Sequence, residues 1–179
     1  MRRVAAFALL LLALAACSTE AGSPRPEPLG AMPDDFAGTI TYRMGSLPPP
    51  YHYSWEVRFD EDSAEIVWQP GYDESVPAFR ESAPLDREQR ELAYERLRDA
   101  GQFEPLPRAS DEDLMVGGAT AEVEVVARGR TYAPGTVGEI EETSDLVDAV
   151  QAVGEGLLPP EVWESLEAQQ QAWSDQQPE

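Results

Sequence analysis

The sequence predicts an α+β fold: one antiparallel sheet of about five strands, in the chain order β-β-β-α-β-β-α-α, with helices packed on one face. Three observations carry that expectation. Five short stretches alternate apolar and polar residues with period two, two longer ones repeat apolar residues at helical spacing behind capping residues, and Pro- or Gly-bearing loops separate them. Clean alternation marks strands with one wet face, and closely consecutive strands of that kind pair antiparallel.

The first element lies ahead of the fold. Met1-Arg2-Arg3 is basic and Val4 to Ala16 is apolar, too short to cross a bilayer as a mature helix, which needs about 20 residues. It reads as a signal peptide. Leu14-Ala15-Ala16-Cys17 resembles the bacterial lipobox, and the resemblance implies a diacylglyceryl group on the Cys17 sulfur, cleavage before that residue and acylation of the new amino terminus. Residues 1–16 are then discarded, and the partner of Cys17 is a membrane. Ser18 in the next position resembles the class forwarded to the outer membrane, facing the periplasm, in a diderm; in a monoderm the protein stays on the outer face of the cell membrane. Residues 17–33 form a Pro/Ser-rich tether centred on Ser23-Pro24-Arg25-Pro26-Glu27-Pro28, too polar to bury a core and kept extended by its prolines.

A single domain is expected over 34–158. Phe36, Gly38, Ile40, Tyr42 and Met44 share one face of the first strand, and Gly45-Ser46-Leu47-Pro48-Pro49-Pro50 breaks it. Alternation resumes with Tyr51, Tyr53, Trp55, Val57 and Phe59 inward against His52, Ser54, Glu56 and Arg58 outward. Asp60 to Ser63 turns the chain into Ala64, Ile66 and Trp68, which completes a meander. Gln69 to Pro84 reads as loop. Asp86 and Gln89 then suit a capping box for a helix over 86–100, with Leu92, Ala93, Leu97 and Ala100 as its apolar stripe and Gly101 as its stop. After a second long loop, Ala121, Val123, Val125 and Ala127 alternate into an Arg128-Gly129 turn and a strand over Arg130 to Ala133. Thr143 or Ser144 caps a helix over 144–157 bearing Leu146, Val150, Val153 and Leu157. Residues 159–179 are expected to form a last helix, opened by Pro160 and bearing Val162, Trp163 and Leu166, and then a disordered Gln-rich tail from Gln169.

The Gly45–Tyr53 segment with its Pro-Pro-Pro-Tyr step, the Gln69-Pro70-Gly71-Tyr72 loop and the helix end Ala100-Gly101-Gln102-Phe103 resemble small uncharacterised exported bacterial domains. The resemblance covers roughly residues 36–150. It implies a shared α+β fold and brings no activity or binding residues.

Charge narrows the partners. Thirty-four acidic residues face 13 basic ones for a net charge of -21, and every cationic side chain is Arg, because the chain has no Lys. No basic stripe is present to neutralise phosphates, so nucleic acid is excluded as a partner, and anionic lipid would repel the body. Basic proteins or cations fit better.

Catalytic chemistry finds little to work with. His52 is the only histidine and reads as a solvated strand residue beside Ser54 and Glu56, with no Gly-x-Ser-x-Gly elbow in the chain. Cys17 is the only thiol, which excludes an internal disulfide and a zinc site built on thiolates, and no cofactor is expected. The carboxylate clusters Asp60-Glu61-Asp62, Asp111-Glu112-Asp113 and Glu139-Ile140-Glu141-Glu142 suit calcium in ligand type but read as solvated turns. Asp111, Asp113 and Glu122 echo positions 1, 3 and 12 of an EF-hand loop, yet Met115 and Val116 stand where a ligand and the turn glycine belong. Gly117-Gly118 leads into a strand, not the helix that a phosphate-cradling loop requires.

What remains is aromatic. Trp55, Phe59 and Trp68 read as core, whereas Tyr51 and Tyr72 each adjoin a proline loop and can present a ring at the end of the sheet. The expectation is a lipid-anchored, non-catalytic cell-envelope domain that binds an envelope protein or glycan through Tyr51 and Tyr72. Asp111, Glu112 and Asp113 are candidate contacts for a basic partner. The alternative is a carboxylate-based envelope hydrolase acting on glycan or peptidoglycan.

Overall fold

In the computed structural model of the protein, residues 30–104, 117–138 and 143–177 are described. Six strands form: β1 (Ala37–Arg43), β2 (Tyr53–Phe59), β3 (Ser63–Pro70), β4 (Phe79–Pro84), β5 (Thr120–Ala127) and β6 (Arg130–Gly138). Three helices accompany them: α1 (Arg87–Asp99), α2 (Ser144–Gly156) and α3 (Pro160–Ser174). The α+β class holds. The sheet runs β4-β3-β2-β1-β5-β6 with every neighbouring pair antiparallel. The chain order is therefore β-β-β-β-α-β-β-α-α.

The additional strand is β4, inside the stretch expected as loop. Pro77 and Pro84 argue against a central strand, and Glu81 interrupts the inward pair Phe79 and Ala83. An edge strand tolerates both features, since only one of its sides needs backbone donors. A second difference lies at β6, which continues past Ala133 to Gly138 across a bulge, so that Val123 pairs with Gly135 and Val125 with Tyr132. Gly135 takes φ +117 there, and Pro134 sits on the free edge.

Register builds the core in ranks. Phe79, Trp68, Trp55, Tyr42, Ala121 and Val137 align across the sheet, with Ile66, Val57, Ile40 and Val123 in the next rank. All but Phe79 are buried. The opposite face carries Thr39, Thr41, Arg43, Glu56, Arg58, Glu65, Arg80, Glu122 and Glu124, all at least partly exposed. An Arg58–Glu56 ion pair at 2.6 Å lies on that face.

Local signals set the helix ends. Asp86 accepts the Gln89 backbone N–H at 2.8 Å while Gln89 Oε1 accepts that of Asp86 at 3.1 Å, the reciprocal pair the sequence predicts. Gly101, at φ +71, stops α1 in a Schellman motif: its N–H donates to Arg98 and that of Gln102 to Leu97. The buried stripe of α1 is Arg90, Ala93, Tyr94 and Leu97, whereas Leu92, expected inward, is exposed. Tyr94 displaced it by packing edge-on against Phe36. The β5–β6 turn uses positive φ at Arg128 and Gly129, and both backbone N–H groups donate to the Asp35 carboxylate at 2.7 and 2.5 Å. Those bonds hold the Asp35 pKa below the usual carboxylate range.

The expected boundaries move at both ends. Met32, assigned to the tether, is buried in the core. At the other end α3, placed outside the domain at 158 and given a frayed tail, packs on β3 and β4 with Leu166 fully buried. Its helix continues through the glutamines to Ser174. Trp163, Leu166, Gln170 and Trp173 recur at helical spacing, so the inward stripe outlasts the Gln-rich composition. Among the described residues no helix is long and apolar enough to cross a membrane.

Candidate functional site

Tyr51 and Tyr72 come together at one corner of the sheet, where the start of β2, the end of β3 and the last turns of α3 meet. Pro48-Pro49-Pro50 initiates a single 3-10 turn at Pro49–Tyr51, closed by the Tyr51 N–H donating to Pro48 at 2.9 Å. Prolines suit that turn because they fix φ and lack donors the geometry would strand. Beyond β3 the chain reverses at Gly71, whose φ of +66 only glycine adopts without strain and whose N–H donates to His52 O at 2.8 Å. The loop that follows is tied to Gln69, whose amide donates to Asp73 O and Val76 O at 3.2 and 3.0 Å.

His52 organises the corner and corrects the sequence expectation. It is not a solvated strand residue: it is 8% exposed, its Nδ1 donates to Gly45 O at 3.3 Å, and its ring stacks on Tyr72 at 3.7 Å with a 13° interplanar angle. The strand begins one residue later, so His52 faces the loop and not the open side of the sheet. Burial lowers its pKa below the usual histidine range, opposed by the bond to Gly45. Tyr72 is thereby fixed at both ends, by the stack and by its hydroxyl donating to Leu47 O at 2.8 Å. Its other face remains open, and the residue is 53% exposed. Tyr51 is 63% exposed and Leu47 42%.

Helix α3 braces this corner from behind. Gln170 accepts from Trp68 Nε1 at 3.0 Å and donates to Pro50 O and His52 O at 3.2 and 3.4 Å. Trp173 covers Gly71, where an added Cβ would stand 2.7 Å from the indole. Inward of these, Tyr53 stacks on Trp68 at 4.2 Å, and burial raises its hydroxyl pKa to about 12. Sequence reasoning missed Leu47, His52, Gln69, Gln170 and Trp173. The heptad-like return of Trp163, Leu166, Gln170 and Trp173 is the signal that identifies the last two.

Of the other expected sites, only the Asp60-Glu61-Asp62 cluster lies among the described residues, at the far end of β2 from this corner. Asp60 accepts the Asp62 and Ser63 backbone N–H groups, each at 2.9 Å, and so closes the β2–β3 turn. Asp111, Glu112, Asp113, the cluster Glu139 to Glu142, and Cys17 lie outside the described residues. No group of three His, Cys, Asp or Glu side chains among the described residues is placed to hold a metal ion. No protein-family model matches the chain, and no curated protein matches it.

Proposed function

We propose that this protein is a lipid-tethered, non-catalytic domain of the cell envelope that binds a protein or cell-wall component through the Tyr51–Tyr72 corner. The observation that carries the reading is the pairing of exposure with fixation: two large aromatic side chains stand out of the surface on a backbone held by His52, Gln69 and Gln170. Rigid aromatic groups of this kind lose little freedom on binding and supply much contact area, which makes them the usual anchors of recognition surfaces. The chain's only histidine supports the non-catalytic side of the reading, because its ring is covered by Tyr72 and its Nδ1 is engaged by a backbone carbonyl. The tether rests on Leu14-Ala15-Ala16-Cys17.

The test uses a photo-crosslinking residue at Leu47 in cells, because a chain without Lys offers no side-chain amine to amine-reactive reagents. A discrete adduct that disappears with Tyr51→Ala and Tyr72→Ala is the expected result. Cys17→Ala should release the protein from membranes and remove acyl mass from its N-terminal peptide. Peptidoglycan turnover by the purified protein, abolished by changing a pair of carboxylates, would overturn the binding reading.

A further inference from the structure

Building on that reading of the tyrosine corner, we infer that its partner is a cationic segment of another protein, whose Arg or Lys side chains lie over Tyr51 and Tyr72 beside Asp73 and Glu74. Exposed apolar surface is concentrated here. Four large hydrophobic residues are exposed among the described residues, and Leu47, Tyr51 and Tyr72 are three of them. Because His52 covers one face of Tyr72 at 3.7 Å, only the opposite face can receive a ligand. The face of an aromatic ring is the negative part of its quadrupole and attracts a cation that comes within about 6 Å of its centre.

Among the described residues of the segments that build the corner, the charge has one sign. Residues 44–53 contain no ionised side chain apart from the titratable His52, residues 71–78 contain Asp73 and Glu74 without a base, and α3 contains Glu161, Glu164 and Glu167 without a base. The bases nearest in sequence are Arg43 and Arg80, both on the open face of the sheet, and Arg80 lies 3.5 Å from Glu65. Asp73 accepts the Ser75 backbone N–H at 2.9 Å, and bonds from Ser75 hold its carboxyl ionised to below the usual range. Aromatic faces flanked by carboxylates, with no competing base among the described residues of these segments, match guanidinium or ammonium groups and repel phosphate or carboxylate. A second copy of this chain is disfavoured by the same arithmetic, since each copy carries a net charge of -21.

The experiment titrates the full chain in non-ionic detergent with a hexa-arginine peptide and follows backbone amide shifts, with a soluble muropeptide as the comparison ligand. The expected result is that hexa-arginine moves the amides of Leu47, Tyr51, His52 and residues 71–76 first. Tyr72→Ala and Tyr51→Ala should each weaken binding by about threefold, and Asp73→Asn with Glu74→Gln should weaken it by a further factor of about three and flatten its salt dependence. Tyr51→Ala keeps the test open if Tyr72→Ala loosens the corner, because the Tyr51 ring makes no stacking contact among the described residues. Shifts spread over the acidic surface, unaltered by either tyrosine variant, would overturn the inference. Movement of the corner by the muropeptide but not by hexa-arginine would also overturn it while leaving the corner a binding surface. If neither ligand moves the corner and the Leu47 crosslink is absent, the underlying reading fails as well.

Discussion

Gly154 offers the sharpest test of how α2 sits on the sheet. In a helix interior, glycine costs about 1 kcal/mol relative to alanine, so Gly→Ala normally stabilises. At Gly154 the sign should reverse. A Cβ there would stand 2.8 Å from Trp55 Cζ3 and nearer still to Cη2, with Ile40 Cγ2 3.5 Å away. Trp55 cannot yield easily, since it is 2% exposed, stacked on Tyr42 and wedged edge-on against Trp163. Overpacking of a close-packed core costs about 1–3 kcal/mol, so after a propensity gain of about 1 kcal/mol the net loss should be up to about 2 kcal/mol. Gly156 supplies the control two residues later in the same helix, because its Cβ would meet only Arg96 Nη1 at 3.5 Å. Gly156→Ala should therefore stabilise by up to about 1 kcal/mol, less at a helix end. For a chain of this size 1 kcal/mol corresponds to about 2–4 °C in Tm, so Gly154→Ala should lower Tm by up to about 4–8 °C and Gly156→Ala raise it by up to about 2–4 °C. Equal stabilisation by both would mean that α2 does not rest its glycine on the Trp55 indole.

Three further outcomes follow from single contacts. Gln170→Ala removes the partner of Trp68 Nε1 and the donor to Pro50 O and His52 O, and should lower stability in urea by about 1–3 kcal/mol; no change would mean that this part of α3 is not docked. His52 has a folded pKa below 6.5, so the unfolded chain takes up its proton first. Its contribution is complete above pH 6.5 and is lost as pH falls toward the lowered folded value, a slope that His52→Gln should remove from urea midpoints between about pH 7.5 and 5.5. Asp35, Asp60 and Asp73 act below their ordinary value of 3.8 and leave that window clear. Arg90 is 3% exposed, and among the described residues neither Nε nor Nη1 has a hydrogen-bond partner. Arg90→Met should raise stability by about 1 kcal/mol or more, and a comparable fall would show that the guanidinium is compensated.

Legibility followed the strength of local periodicity. Four strands were readable from alternation, because Ile40, Trp55 and Val123 each stand between polar neighbours and Ile66 follows Glu65 in the alternating set Ala64, Ile66 and Trp68, and the start of β6 was readable from the Arg128-Gly129 turn. The α1 caps were readable for the same reason, since Asp86, Gln89 and Gly101 act within a single turn. β4 was not, because an edge strand needs few inward apolar residues and gains its place from pairing with β3. Composition misled at α3: glutamine is a good helix former, and burial of Leu166 and Trp163 outweighs the polarity of the exposed positions. At the candidate site Tyr51 and Tyr72 stood out as aromatics beside prolines. The His52–Tyr72 stack did not, because a contact between residues twenty apart leaves no spacing signal in either segment.

On the proposed reading, the two tyrosines are also the place where fold and function make opposite demands. Full burial of a large apolar side chain is worth about 1.5–3 kcal/mol, so leaving Tyr51 and Tyr72 outward forgoes a stabilisation the core elsewhere exploits. The backbone prevents their turning inward. Pro48, Pro49 and Pro50 donate no backbone hydrogen bonds, the Met44 N–H donates to Tyr53 O, and that of Gly71 donates to His52 O. Gln170 takes up the Pro50 carbonyl from behind. A corner restrained in this way has already lost the conformational freedom that a mobile loop would surrender on contact, at about 0.5–1.5 kcal/mol for each ordered side chain. Loosening it without touching a tyrosine should therefore weaken binding. Gly71→Ala combines left-handed backbone strain with a clash against Trp173. It should reduce affinity for the partner by more than it shifts the global unfolding midpoint, and equal losses in both would make the corner a packing feature and not a recognition surface.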